Sequence, residues 1–389
     1  MIKREAQNKI EELQDKYFVI LITGPRQSGK TTLAKHIFAD YTYKNLENPD
    51  QKLAAEDDPK RFLNLGSGEK MVIDEIQEVP ELASYIQTEV DENKITSQYV
   101  LTGSQNFQIS QTVTQSLAGR VAQFELLPLT FKEIEQEKSF NIDEHLVNGS
   151  YPGRLDYNTN VTDFYRDYVN TYITRDVRTL QNIGDLSDFL RFMRLLAGRV
   201  GQFFNATELA NEIGVNYKTI QKWLTVLEAS YICMRLEPYY ENFGKRLIKS
   251  HKVYFYDTGL VNYLLGVNSL SELQNHYLYG SIFENFIITE YVKNIWNHRR
   301  NEKLYFWRDN KKVEIDLLID KGLDKELIEI KSSRTFKTDF LKNIKYVKTF
   351  MQEKYQVNAS VVYQGTLEQK IHDINILNWR NTIPESNKS

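Results

Sequence analysis

The segment Gly24-Pro-Arg-Gln-Ser-Gly29-Lys30-Thr31 constrains this chain more than any other feature. It fits G-x-x-x-x-G-K-[ST] and lies between the apolar run Tyr17 to Thr23 and the helical stretch TLAKHIF. A strand that passes straight into a helix through such a loop calls for a parallel sheet with helix crossovers. The glycines let backbone N–H groups curl around phosphates, and the start of the helix adds positive potential. Lys30 is expected at the β and γ phosphates of ATP and Thr31 on Mg²⁺, with Gly24, Pro25, Arg26, Gln27, Ser28, Gly29 and Thr32 completing the cradle.

The rest of a hydrolytic centre is sought at strand ends. Met71-Val-Ile73 runs into Asp74-Glu75, where the Asp can hold the Mg²⁺ water shell and the Glu can polarise an attacking water. Tyr99-Val-Leu101 runs into Thr102-Gly-Ser104-Gln105-Asn106, and Thr102 and Ser104 are the expected sensors of the γ-phosphate; a plain strand-end turn is the alternative. Arg120, in LAGR ahead of the run Val121 to Leu127, can reach a neighbouring subunit's ATP or its own as a charge-stabilising finger, or be a surface arginine. Arg154, Arg175 and Arg178 are lesser candidates.

Length and composition bound what surrounds this centre. A chain of 389 residues exceeds what one core usually organises, so several domains are expected. A formal charge of −3 excludes a chain that coats nucleic acid through bulk positive charge, so any such contact must be local. With one cysteine and six scattered histidines no zinc spacing arises. No apolar run is long enough to span a bilayer, and the charged start MIKREAQNKIEELQDKY lacks the apolar core of a secretion signal, so a cytoplasmic protein without membrane contact is expected.

Two further constellations lie downstream. Thr207 to Ile213, stopped by Gly214, and Asn216 to Glu228 read as a helix-turn-helix: Ile220, Trp223, Leu224 and Leu227 form the buried stripe, and Tyr217, Lys218, Gln221 and Lys222 point outward. Lys245, Arg246, Lys249 and Lys252 follow within eight residues with no acid among them, a wing that could grip DNA phosphates. Lys218, Lys222, Lys245, Arg246 and Lys249 are the expected DNA contacts; the competing reading is a protein-interaction module. Further on, Asp316 on the strand Val313 to Ile319 and Glu329 and Lys331 on the next strand can meet at one point, since strand side chains alternate faces. Two carboxylates there would bind Mg²⁺ and the lysine would steady a nucleophilic water. A half-exposed strand with alternating charge is the competing reading.

GPRQSGKTTLAK, VIDEIQEVP, VLTGSQN, SLAGRV, LLPLTFKEI and YFYDTGL together resemble a prokaryotic AAA+ ATPase family whose C-terminal half has no characterised function. The resemblance spans nearly the whole chain. It implies an α/β multidomain protein: an AAA+ P-loop core at residues 1–129, a helical lid at 130–201, a winged helix at 202–256, and at 257–389 a domain resembling PD-(D/E)xK restriction endonucleases, in which Glu284 resembles an additional carboxylate. The function expected is an ATPase that couples hydrolysis to binding and remodelling or translocation of DNA, acting as a ring or other oligomer. Two alternatives stand beside it: an ATP-dependent switch on a protein partner in signalling or phage defence, and an ATP-gated nuclease.

Overall fold

The computed structural model describes residues 2–104, 113, 115–136, 139–156, 159–173, 185–240 and 250–383. Five strands, β1 (Val19–Thr23), β2 (Thr42–Asn45), β3 (Met71–Asp74), β4 (Tyr99–Gly103) and β5 (Val121–Glu125), form a sheet in the order β2-β3-β4-β1-β5 with every neighbouring pair parallel. β1, β3 and β4 are buried throughout, which is why they read as unbroken apolar runs. Val19 and Leu21 pack on one face with Leu82, Ile86 and Val90 of the helix Leu82–Asn93. Ile20 and Ile22 pack on the other, with Ala6 and Ile10 of the helix Ala6–Leu13 and Leu33 of the helix Lys30–Ile37. The edge strand β2, sequence TYKN, escapes an apolar-run reading because it is only half buried.

Beyond β5 the chain turns helical. Thr130 and Glu133 form a capping box at the helix Phe131–Glu135, and the helices Ile142–Asn148, Val161–Asp167 and Leu186–Ala197 follow. These do not form a free-standing layer. Phe131, Leu146, Tyr165 and Phe192 belong to one core that continues through Trp223, Phe286 and Leu317 to Ile383.

The helix-turn-helix forms as expected. Asn205 and Asn216 cap the helices Ala206–Ile213 and Tyr217–Ala229, and Gly214 closes the first at φ +90°, a conformation that favours glycine. Its strands β6 (Cys233–Pro238) and β7 (Lys252–Phe255) pair antiparallel, but β6 also pairs in parallel with β8 (Lys303–Arg308). The boundary expected at 256/257 therefore runs through a single eight-stranded sheet, ordered β12-β13-β11-β10-β9-β8-β6-β7, where β9 is Glu314–Lys321, β10 Asp324–Lys331, β11 Gln356–Tyr363, β12 Gln369–Ile371 and β13 Ile374–Asn378. The helix Tyr279–Asn297 precedes β8, and Leu341–Met351 joins β10 to β11.

Candidate functional site: the phosphate loop and its surroundings

Gly24 leaves β1 at φ +148°, and a Cβ there would lie 2.2 Å from the Leu126 carbonyl oxygen, so no other residue fits between the loop and the strand-end segment beside it. Gly29 adopts φ +91° at the start of the helix Lys30–Ile37. Lys30 is buried, and its Nζ donates to the carbonyls of Gly24 (3.0 Å) and Pro25 (2.8 Å). Gln27 has φ +61°, and the buried Ser28 Oγ has no hydrogen-bond partner among the described residues. Arg26 faces Glu47 at 3.5 Å. A cavity of about 330 Å³ adjoins Gly29 and Thr32, walled by Ile2, Leu33, Leu129 and Pro152.

Asp74 is where the polar groups converge. Its carboxylate accepts from Thr31 Oγ1 (3.0 and 3.1 Å), from Tyr43 Oη (2.6 Å) and from Thr102 Oγ1. Burial and then the hydrogen bond to Asp74 raise Tyr43's pKa, so it remains a donor. Glu75, next in line, adopts φ +58° and ψ +51°, a left-handed conformation that costs a non-glycine residue energy and commonly marks a functional site. Gln77 Nε2 donates to Glu75 Oε2 and to Ser104 Oγ (3.2 Å), and the Ser104 N–H donates to Glu75 Oε2 (3.3 Å). Thr102 thus bonds the aspartate and Ser104 the glutamate. The neighbours Gln105 and Asn106 lie outside the described residues. Sequence reasoning missed Tyr43, whose role needs the β2–β3 pairing, and Gln77, which a polar residue two places after Glu75 could have signalled.

Arg120 requires a correction. Its carbonyl accepts from the N–H of Val19 at the far end of β1, about 13 Å of strand away from the phosphate loop. Its guanidinium pairs with Asp91 at 2.5 and 2.7 Å. It cannot serve its own ATP site, because the strand that leads to the loop separates the two. Arg154 is half-buried and donates to Asn148 (2.6 Å), while Arg175 and Arg178 lie outside the described residues.

Two ties bind the loop and the residue before it to the rest of the molecule, and a third holds the segment after β5; none was foreseen from sequence. Arg4, buried, donates to the Ser28 carbonyl (2.7 Å), the Leu127 carbonyl (2.7 Å) and Glu133 (3.1 Å). Thr23, immediately before Gly24, shares a hydrogen bond of 3.1 Å with Tyr231 Oη, at the end of the second helix of the helix-turn-helix. Lys293, on the helix Tyr279–Asn297, donates to Glu290 (2.8 Å), the Leu129 carbonyl (2.9 Å) and Ser150 Oγ (3.3 Å).

The downstream carboxylates do meet the expected lysine. Lys331 Nζ lies 2.7 Å from Glu329 and 3.8 Å from Asp316, whose carboxylate also accepts the Ile330 N–H (2.7 Å). Burial and then Asp316 raise the Glu329 pKa; burial opposes Lys331's charge, but Asp316 and Glu329 push it up to about 12. Glu284 instead accepts from Tyr254 Oη (2.6 Å) and Lys252 (3.4 Å), and Lys252 also pairs with Glu314 at 2.6 Å. This corrects one expectation: Lys252 is 3 % exposed and belongs to a buried ionic network, not a solvent-facing wing. After burial, Asp316 and then Glu284 raise the Glu329 pKa, and both carboxylates also raise that of Lys331, so the expected carboxylates and lysine share one electrostatic environment. No group of three His, Cys, Asp or Glu side chains placed to hold a metal stands out among the described residues.

On the helix-turn-helix, Lys218 and Lys222 are exposed on the outward face beside Tyr217 and Gln221. Lys245, Arg246 and Lys249 lie outside the described residues. No helix among the described residues is long and apolar enough to cross a membrane.

Comparison with known proteins follows this layout. Residues 16–135 match a family described as AAA domain, and residues 139–271 and 279–382 match two domains of unknown function, DUF8612 and DUF4143. The chain is 29 % identical over 338 residues to the uncharacterized protein Rv2008c of Mycobacterium tuberculosis, covering 86 % of this chain and 74 % of that one. It is 25 % identical over 342 residues to the uncharacterized protein MJ1544 of Methanocaldococcus jannaschii, covering 80 % and 74 %. Among solved structures it resembles the Walker-type ATPase PABY2304 of Pyrococcus abyssi, with a TM-score of 0.46, 14 % identity, and coverage of 68 % of this chain and 96 % of that one. The matched AAA segment contains the phosphate loop, Asp74, Glu75 and Thr102, so the chain carries an AAA-type P-loop ATPase core.

Proposed function

We propose that this protein hydrolyses ATP and transmits the nucleotide state to a DNA-contacting helix-turn-helix. The observation that carries the hydrolytic part is Asp74 ringed by Thr31, Tyr43 and Thr102, with Glu75 in a left-handed turn beside it. Lys30 and the loop N–H groups would hold the phosphates, and the cavity bounded by Ile2, Leu33 and Pro152 would take the base. Thr31 and Asp74 are the groups that would hold Mg²⁺, which when bound neutralises phosphate charge. Glu75 would accept the proton of the attacking water, its carboxylate oriented by Gln77 and Ser104.

The tie Thr23–Tyr231 supports transmission, since it joins the residue before the loop to the end of the helix-turn-helix, and Arg4 links Ser28 to Glu133 of the helix Phe131–Glu135. Lys218 and Lys222 supply the DNA-facing charge. Self-association remains part of the proposal through Arg120, whose position leaves it a neighbouring subunit's ATP as its target. Cleavage of DNA is left out of the proposal: Glu329 is 5 % exposed and is bonded to Lys331. A switch acting on a protein partner is the second reading, favoured by Tyr217, an aromatic 46 % exposed on the outward face.

The test combines two arms. Lys30→Ala should abolish productive ATP binding, and Glu75→Gln should bind ATP yet hydrolyse it at least about 100-fold more slowly; parental turnover in the Gln variant would remove Glu75 from its role. ATPase rates with linear, single-stranded and four-way-junction DNA should exceed the basal rate, and the pair Lys218→Glu and Lys222→Glu should lower the salt slope of DNA binding by about 2. Hydrolysis indifferent to every DNA form would favour the protein-partner switch.

A further inference from the structure

The angle between the helix-turn-helix and its strands opens into a cavity of about 770 Å³, lined by Phe204, Gln221, Thr225, Arg235, Ser250 and His251 among others. That volume suits a small-molecule group. Its wall is built as well as open. The Phe204 and His251 rings stack with centroids 5.2 Å apart and planes 20° apart, and the Phe204 N–H donates to the His251 carbonyl at 2.9 Å. Arg235 is held by Glu228 at 2.8 Å and by Thr225 Oγ1 at 3.4 Å. Two polar atoms of the lining residues, Arg235 Nε and His251 Nε2, are buried without a hydrogen-bond partner among the described residues.

The charge balance narrows the ligand. Arg235 is already neutralised by Glu228, and Glu208 at the rim is a carboxylate paired with Arg199 at 3.1 Å. Burial and then Arg235 push His251 down to about 4, so its ring is neutral at physiological pH. Among the described residues a phosphate or carboxylate would find no free positive charge there, and an apolar molecule would leave the orphaned groups unpaired. What fits is a flat, uncharged ring with both donors and acceptors.

We propose that this cavity takes a nucleobase, stacked against the Phe204–His251 pair and hydrogen-bonded by Gln221, Thr225 and Arg235. Gln221 shares the outward face of its helix with Lys218 and Lys222, so a strand whose phosphates lie on those lysines presents an unpaired base to the opening. The same chemistry would accept the base of a free nucleoside. The inference goes beyond the phosphate-loop reading and does not rest on it; only its nucleic-acid arm rests on the proposed DNA contacts of Lys218 and Lys222.

The full chain, with ADP bound at the phosphate loop and the unbound excess removed, is titrated with two fluorescent probes: 2-aminopurine riboside, and a duplex carrying one unpaired 2-aminopurine, with the fully paired duplex as control. Stacking in the cavity should quench the unpaired probe and leave the paired one unchanged. Gln221→Ala and His251→Ala should each weaken binding about tenfold, the loss of one good hydrogen bond or stacking partner. Gln221 is exposed, so its replacement leaves the fold intact even where that of His251 does not. Quenching of the duplex alone assigns the base to nucleic acid, and Lys218→Glu should then weaken it. Quenching of the riboside with the same sensitivity to Gln221→Ala assigns a free nucleoside, and Lys218→Glu should leave that unchanged. No quenching of either probe at about millimolar concentration, far above any physiological affinity for such a site, overturns the proposal. Quenching that Gln221→Ala and His251→Ala both leave unchanged overturns it equally.

Discussion

Lys293→Met tests whether a buried ion pair on the helix Tyr279–Asn297, whose two members bond the Leu129 carbonyl, Ser150 Oγ and the Phe131 N–H, holds that helix to the segment after β5. Lys293 and Glu290 are 2 % and 1 % exposed and 2.8 Å apart, and Lys293 also serves the Leu129 carbonyl and Ser150. The methionine keeps the stem and removes the charge, leaving Glu290 with the Phe131 N–H (3.0 Å) as its remaining donor. Breaking a buried pair from one side costs about 3–5 kcal/mol, because a charge is left uncompensated in a low-dielectric interior. Burial already raises the Glu290 pKa and Lys293 lowers it, so the variant lets it rise further. An acid whose folded pKa exceeds its unfolded one contributes most to stability below the unfolded value and loses that contribution as pH climbs toward the folded value. The variant should therefore lose less at pH 5 than at pH 8. Urea unfolding followed by tryptophan fluorescence at both pH values measures this. Lys293→Met combined with Glu290→Met should recover at least about 1.5 kcal/mol, since an apolar pair replaces a lone charge. A single-variant loss under about 1 kcal/mol, or a double variant no better than the single, would refute the reasoning.

Two other outcomes follow from the same geometry. Tyr43→Phe removes one donor to a charged acceptor that keeps Thr31 and Thr102, so about 1.5 kcal/mol, or about tenfold in kcat/KM for ATP, should be lost with a raised Mg²⁺ requirement. An unchanged Mg²⁺ dependence would take Tyr43 out of the site. Glu5, which burial and then the carboxylates of Glu133 and Glu290 push up to about 7, makes the native state lose stability as pH rises from about 4.5 to 7. Glu5→Gln should flatten that stretch of the urea midpoint against pH, and an unaltered profile would show that Glu5 does not cause it.

Three strands of the first sheet were legible because buried parallel strands read as apolar runs: VILIT, MVID and YVLTG stand out of the sequence, and VAQFE, buried at every second residue, does so with the apolar residues that follow it. The phosphate loop and Asp74-Glu75 were legible because their chemistry is local to a strand end. The stripe Ile220, Trp223, Leu224 and Leu227 was legible through helical spacing and is buried as read. What stayed hidden depends on which elements meet. Tyr43 acts only because β2 lies against β3, and Arg4 only because the first helix places it over Ser28. Lys252 read as one basic residue in a basic run; pattern alone cannot show that β7 carries it under Glu284 and Glu314. Arg120 misled because a glycine-arginine step beside a strand looks alike at either end of a sheet.

The pairing of β6 with β8 determines what can be inherited, or excised, as a unit. A fragment ending at Tyr256 would keep Lys252 but lose both of its carboxylates, and would expose the β6 edge that Tyr305 and Phe306 cover. A fragment beginning at Asp257 would keep Glu284 and Glu314 without their shared lysine and would strip the β8 edge bare. The helix-turn-helix is thus not an appendage that recombination could graft elsewhere. It and the strands that follow form one indivisible cassette, and a nucleotide-driven stroke would have to move that cassette whole.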